Sequence, residues 1–236
     1  MDEERQVKQS TRIQTSIING LERKTLVWLA KKQPQWVTSD MLTCIGIVGA
    51  FIVGLGYVLS RYSINWLWLS SAGLVINWYG DSLDGTLARV RNTQRPIYGY
   101  YIDHTIDCIN EAFMFIGAGL SPLVNLNLAL VAFILYLFMT INVSINAHLK
   151  SEFRLTYAKL GPTEFRMLMI LGNTLLIAMP QLVAFRLEVI LAGHSMIATS
   201  LDLLAVAIIV LLGVIYICTI ISDSRKYARI DPPKKR

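Results

Sequence analysis

Residues 41–60 run for five turns of helix without a single charged side chain. Five further apolar stretches follow, near 63–80, 96–120, 126–147, 167–185 and 201–222. About 20 apolar residues in helical form cross a bilayer's hydrocarbon core, where no water can satisfy an open backbone. A chain with six such stretches in 236 residues has little length left for anything but a compact helical bundle in a membrane. Composition agrees: 54% of residues are hydrophobic and 16% charged, against about 25% charged in soluble domains. The expected fold is all-α and integral to the membrane, with six transmembrane helices. Gly46, Gly49, Gly54 and Gly56 in the first span allow close helix approach. Pro180 is expected to kink the fifth span.

The polar residues that interrupt this apolar background are concentrated in 81–107. Asp81 and Asp84 are three apart, Asp103 and Asp107 four apart, so each pair shares one helix face. Two such helices side by side gather four negative charges in a small volume. Like charges at that range repel, and beside a membrane the cost rises further. One or two divalent cations relieve it, and all-oxygen ligation points to a hard ion, Mg2+ or Mn2+.

The full pattern is Asp81-x2-Asp84-Gly85-x2-Ala88-Arg89, nine residues, then Gly99-x3-Asp103-x3-Asp107. In these eight positions the chain resembles the CDP-alcohol phosphatidyltransferases. The resemblance implies a metal-dependent transferase of phospholipid biosynthesis. Such an enzyme moves a substituted phosphate group from a CDP-alcohol to a hydroxyl acceptor and releases CMP. Asp81, Asp84, Asp103 and Asp107 would hold two Mg2+ or Mn2+ ions, by charge counting and by resemblance. In the family the last Asp is also the favoured general base, which gives Asp107 the acceptor's proton. Gly85, Ala88 and Gly99 leave room for a nucleotide against the backbone. Arg89 presents a planar fork matched to diphosphate oxygens. Asn77, one turn before Asp81, either orders the carboxylates or reaches the nucleotide. Glu111, one turn after Asp107, pairs with a cation or sits protonated. Arg91 and Arg95 are weaker phosphate candidates.

His104 beside Asp103 is similar to the choline and ethanolamine phosphotransferase branch, in which the His is itself a candidate base. In the inositol-phosphate-using branch, basic residues in comparable places hold the acceptor's phosphate. Lys150, Arg154, Lys159 and Arg166 are the matching residues here, with Glu164 placed to orient Arg166. Asn142, Asn146 and Lys150 form a polar stripe on the fourth span. Two substrate polarities therefore stay open: a CDP-diacylglycerol donor with a small polar acceptor, or a CDP-linked small alcohol with a lipid hydroxyl.

The N-terminal segment reads as an amphipathic interfacial helix over 13–32, with Ile17, Leu21 and Trp28 on one side and Arg23, Lys24, Lys31 and Lys32 on others. Three regions result: 1–36 cytoplasmic and interfacial, 37–224 the six-helix membrane domain, and 225–236 a basic cytoplasmic tail. Lys and Arg number 7 in the N-terminal segment, 3 in 81–95, 4 in 150–166 and 6 in the tail, leaving only Arg61 and Arg186 opposite. By the positive-inside rule both termini and the acidic cluster face the cytoplasm. The polar first twelve residues are not a cleavable signal peptide, and Cys44, Cys108 and Cys218 fit no metal spacing. Membrane lipid is the expected surrounding, and no nucleic-acid partner is expected. A homodimer is implied by the resemblance alone. A reading of another class is a cation transporter using the Asp cluster. That would place the carboxylates near mid-bilayer, and gives no reason for Gly85, Ala88 and Arg89.

Overall fold

The computed structural model describes residues 11–13, 19–150, 152–154, 162–191 and 194–233. Its elements in chain order are β1 (Thr11–Ile13), α1 (Asn19–Lys32), α2 (Ser39–Leu59), a 3-10 turn (Ile64–Trp66), α3 (Leu67–Val90), α4 (Pro96–Gly119) and α5 (Leu126–Lys150). Then come β2 (Glu152–Arg154), α6 (Pro162–Ala178), α7 (Pro180–Ala184), β3 (Leu187–Leu191), β4 (His194–Ala198) and α8 (Ser200–Ile230). Each candidate span is helical over most of its length. Among the described residues, three helices are long and apolar enough to cross a membrane by length and composition: α2, the 126–146 part of α5, and α8. Helices α3, α4 and α6 interrupt their apolar runs with the polar residues of the site.

Packing centres on α2 and α3. Gly46, Gly49, Val53 and Gly56 line up at helical spacing on α2 against Ser70, Gly73, Asn77 and Gly80 on α3. A Cβ on Gly49 would lie 2.7 Å from the Asn77 Cα and 2.9 Å from the Gly73 carbonyl oxygen. The backbones themselves are therefore in contact. Gly54 turns the other way and meets Gly117 of α4. Between helices in lipid there is no hydrophobic driving force, so close packing and interhelical hydrogen bonds hold the bundle, the latter at about 0.6 kcal/mol each. Asn77 Nδ2 donates to the Gly46 carbonyl at 2.9 Å. Tyr57 donates to Asn173 Oδ1 at 3.0 Å, and Asn173 donates in turn to Ser71 Oγ at 3.1 Å, tying α2, α6 and α3.

Helix α1 ends at Lys32, before Pro34, and packs Leu26 and Ala30 against Leu42, Leu83 and Leu87. Leu21 and Trp28 stay exposed, while residues 14–18, including Ile17, lie outside the described residues. Glu22 Oε1 accepts from Trp78 Nε1 of α3 at 3.0 Å and from Thr163 Oγ1 of α6 at 2.5 Å. The fifth span is broken rather than kinked: α6 stops at Ala178 and Pro180 opens α7. A β3–β4 antiparallel hairpin then leads into α8, and β1 pairs in parallel with β2. Thr199 and Asp202 form a capping box at the start of α8.

Candidate functional site

Helix α3 does not stop at Gly80 but continues to Val90, carrying Asp81, Asp84, Gly85, Ala88 and Arg89 on its last three turns. Asn92 then takes φ 54°, a left-handed conformation that Asn tolerates, and the chain reverses. Pro96 opens α4, where a missing N–H costs nothing. Gly99, Asp103 and Asp107 follow on the first turns of α4. The Arg91 guanidinium donates to the carbonyls of Gln33 (3.1 Å), Pro34 (2.8 Å) and Val37, clamping the α1–α2 connection to the end of α3. Arg95 pairs with Asp40 at 3.6 Å, both more than half exposed, and lies over the Tyr98 ring.

Two cavities meet at Asp103. The first, about 240 Å3, is lined by Asp84, Gly85, Ala88, Arg89, Gly99 and Asp103. Six of the eight signature residues thus surround one space. The second, about 210 Å3, is lined on its polar side by Asp81, Asp103, Asp107, Glu111 and Arg166. Asp107 lies within electrostatic reach of Asp81, Asp103, Glu111 and Arg166. The two carboxylate pairs are therefore brought into one neighbourhood.

Each carboxylate has its own setting. Asp84 Oδ2 accepts from Thr43 Oγ1 of α2 at 2.6 Å, and Oδ1 accepts from the Gly85 N–H. Ser39 Oγ donates to the Asp84 carbonyl at 2.9 Å. Asp81 Oδ2 forms an ion pair with Arg166 Nη2 at 2.6 Å, and Arg166 Nε donates to Asn77 Oδ1 at 2.9 Å. His104 Nδ1 lies 3.0 Å from the Tyr100 carbonyl and 3.7 Å from Asp103 Oδ2, with its ring stacked on Tyr100.

Several expectations change in detail. Asn77 is fully buried with both ends of its amide engaged, and it faces the second cavity rather than the one holding Arg89. Arg166 is oriented by Asp81 and Asn77, while Glu164 is buried and has partners of its own. Asn146 ties α5 to α8, donating to Asp223 at 2.8 Å and accepting from Tyr227 at 2.6 Å. The side chains of Lys150, Arg154 and Lys159 lie outside the described residues. Thr43, Ser39 and Asn110 were not singled out in the sequence. A hydroxyl in an apolar run is ordinary, and their partners or cavities become visible only when the helices pack.

The donor set suits a hard divalent cation: four carboxylates, all oxygen. Among the described residues no three His, Cys, Asp or Glu side chains close to a common coordination distance. Asp81 and Asp84 instead take Arg166 and Thr43 as partners. Glu111 Oε2, Asn110 Oδ1 and Arg166 Nη1 are buried without a hydrogen-bond partner among the described residues, so the polar inventory around the carboxylates is open to further ligands.

Residues 36–221 match the sequence profile of the CDP-alcohol phosphatidyltransferase family. A phosphatidylinositol phosphate synthase from Cutibacterium acnes is 34% identical over 86 residues, which is 36% of this chain and 38% of that one. A cholinephosphotransferase 1 from Danio rerio is 33% identical over 98 residues, 38% of this chain and 25% of that one. The matched stretches thus cover well under half of either relative. With the profile spanning most of the chain, and its eight signature residues arranged around two adjoining cavities between α3 and α4, the chain belongs to the CDP-alcohol phosphatidyltransferase family.

Proposed function

We propose that the chain is a metal-dependent transferase of phospholipid biosynthesis that uses a CDP-alcohol donor and a hydroxyl acceptor. The observation that carries this is the grouping of Asp84, Gly85, Ala88, Arg89, Gly99 and Asp103 around one cavity, with Asp103 also facing the cavity of Asp81 and Asp107. The first cavity takes the cytidine diphosphate and the second the acceptor. In the reaction the acceptor oxygen bonds to the donor phosphorus that carries the alcohol. The P–O bond to CMP breaks, CMP leaves with its electron pair, and the acceptor's proton passes to Asp107. Asp81, Asp84, Asp103 and Asp107 are the residues that would hold Mg2+ or Mn2+. Those ions would neutralise the diphosphate and the departing CMP. Thr43 fixes the orientation of Asp84, and Arg166 that of Asp81. His104, held against Asp103 and Tyr100, is the second proton acceptor within reach of the cluster.

The membrane arrangement consistent with this chemistry has six spans, with both termini and the carboxylates at the cytoplasmic face. Helices α3, α4 and α6 supply the site, and α2, α5 and α8 the apolar frame. The test is transfer of radiolabel from CDP-diacylglycerol and from CDP-ethanolamine to a panel of polar and lipid alcohols, with and without Mg2+. Absence of CMP from every pair would overturn the proposal.

Two variants probe the donor cavity. Arg89→Ala should weaken CDP-alcohol binding by about tenfold or more, the scale of a lost charge-assisted hydrogen bond, and leave Mn2+ binding nearly unchanged. Equal affinity for the donor would refute the clamp role. At Gly99 a Cβ would meet nothing within 4 Å among the described residues. Gly99→Ala should therefore fold as well as the parent or gain about 0.5–1 kcal/mol from helix propensity. Any loss of donor affinity in that variant then measures contact with the nucleotide. Unchanged affinity would show that the nucleotide does not approach this backbone.

A further inference from the structure

One wall of the donor cavity carries an ion pair that lies outside the signature. Arg95, at the start of α4, and Asp40, in the first turn of α2, both line that cavity. Their charged atoms lie 3.6 Å apart. At that separation charge holds the pair, but no hydrogen bond joins it. The N–H groups of one and the oxygens of the other keep their hydrogen-bonding capacity for a third partner. Both side chains are more than half exposed, and so exposed a pair adds little to folding stability.

Neighbouring contacts fix where the pair sits. Arg95 Cζ lies 3.6 Å from the centre of the Tyr98 ring, a cation–π contact that restrains the guanidinium. Ser39 and Thr43, on either side of Asp40, bond to the Asp84 carbonyl and carboxylate. The turn of α2 that orients Asp84 thus also presents Asp40. On α4, Arg95, Gly99 and Asp103 follow at four-residue spacing and share a face. Along the helix axis Arg95 stands about 12 Å from Asp103. A Cβ on Gly99 would meet nothing within 4 Å among the described residues, so the floor between them is open.

Charge decides which part of a cytidine nucleotide lies at each end. On the transferase reading, on which this inference rests, Asp84 and Asp103 hold divalent ions, and the diphosphate goes to those ions. Asp40 is not one of those ligands, and Arg95 offsets its charge, so the far end presents a neutral pair. A phosphate there would gain the guanidinium but meet the carboxylate beside it. A neutral base with a donor next to acceptors gains from both. Cytosine has that edge: its 4-amino group donates, and N3 and O2 accept. Uracil reverses the first two positions, with an acceptor at O4 and a donor at N3. We infer that Asp40 and Arg95 read the cytosine of the donor. Asp40 accepts from the 4-amino group, and Arg95 donates to N3 and O2. The pair sets cytosine against uracil, a choice that the signature residues at the diphosphate end do not make.

The test is equilibrium binding of radiolabelled CDP and UDP to the purified full-length chain in nanodiscs with Mg2+. The parent should prefer CDP by about tenfold or more, the scale on which a matched donor and acceptor discriminate bases. Asp40→Asn should erase most of that preference, because an amide donates to O4 as readily as it accepts from an amino group. Arg95→Met, which keeps the stem against Tyr98, should weaken CDP binding by about tenfold. In the parent, a CDP analogue with hydrogen in place of the 4-amino group should also bind about tenfold more weakly than CDP. That measurement decides even if a variant fails to fold. Equal affinity of the parent for CDP and UDP, or full affinity for the analogue, overturns the inference. So does a preference that persists in both variants. An Asp40→Asn protein that binds CDP and UDP more tightly alike, with their ratio unchanged, overturns it by giving Arg95 to a phosphate. A CDP preference lost in Asp40→Asn, without CMP release from any donor and acceptor pair, would instead sink the transferase proposal and leave the base-reading pair standing.

Discussion

Asp107→Asn abolishes turnover while the protein stays folded. CMP release is expected to fall by about 10²–10⁴-fold, the range that a positioned general base contributes. The near-isosteric amide cannot take the acceptor's proton. Folding should survive because Asp107 faces the carboxylates of Asp81, Asp103 and Glu111 against the single guanidinium of Arg166, whose ion pair is made with Asp81, so removing its charge relieves more repulsion than attraction. Single-turnover CMP release and thermal unfolding are the two measurements. Mn2+ titration followed by electron paramagnetic resonance adds a third, separating loss of a ligand from loss of a base. Turnover within tenfold of the parent would take Asp107 out of the chemistry.

The second large effect is structural. Gly80→Ala is expected to cost about 3 kcal/mol or more, beyond the usual range for overpacking, because the added methyl meets backbone that cannot rotate away. Its Cβ would lie 2.7 Å from the Gly46 Cα and closer still to the Gly46 nitrogen and the Leu42 carbonyl. Separating the two helices to make room strains the Thr43–Asp84 and Asn77–Gly46 hydrogen bonds, so the site loosens along with the seam. Gly213→Ala on α8 is the matched control, since a Cβ there meets nothing within 4 Å among the described residues. The readouts are the yield of monodisperse protein in detergent and its melting temperature. A Gly80→Ala protein that melts with the parent would refute the tight seam.

What could be read from the chain and what could not follows from the range of each interaction. Apolar runs foretell α2, α5 and α8, because each is a local pattern of about 20 residues. The three- and four-residue spacings of Asp81, Asp84, Asp103 and Asp107 foretell shared faces, since helix geometry is local as well. The continuity of the second span with the Asp81–Asp84 helix, and its end at Val90, were not read, because Asp81 and Asp84 resemble the end of a span even though Leu83, Leu87 and Ala88 continue a helix. Thr43 meets Asp84 across 41 residues and Arg166 meets Asp81 across 85, and no local spacing encodes either contact. The β3–β4 hairpin passed unnoticed because two five-residue strands between apolar helices leave little alternation to read.

Glu22 ties the N-terminal helix to the helices that carry the site. One carboxylate oxygen receives both Trp78 of α3 and Thr163 of α6, and Arg166 stands three residues beyond Thr163. The helix thus acts as a cross-brace that fixes the gap across which Arg166 reaches Asp81. A chain trimmed to the profile-matched segment, starting at residue 36, would discard that brace. The stretch that holds Arg166 in place therefore begins upstream of the profile-matched segment, on α1.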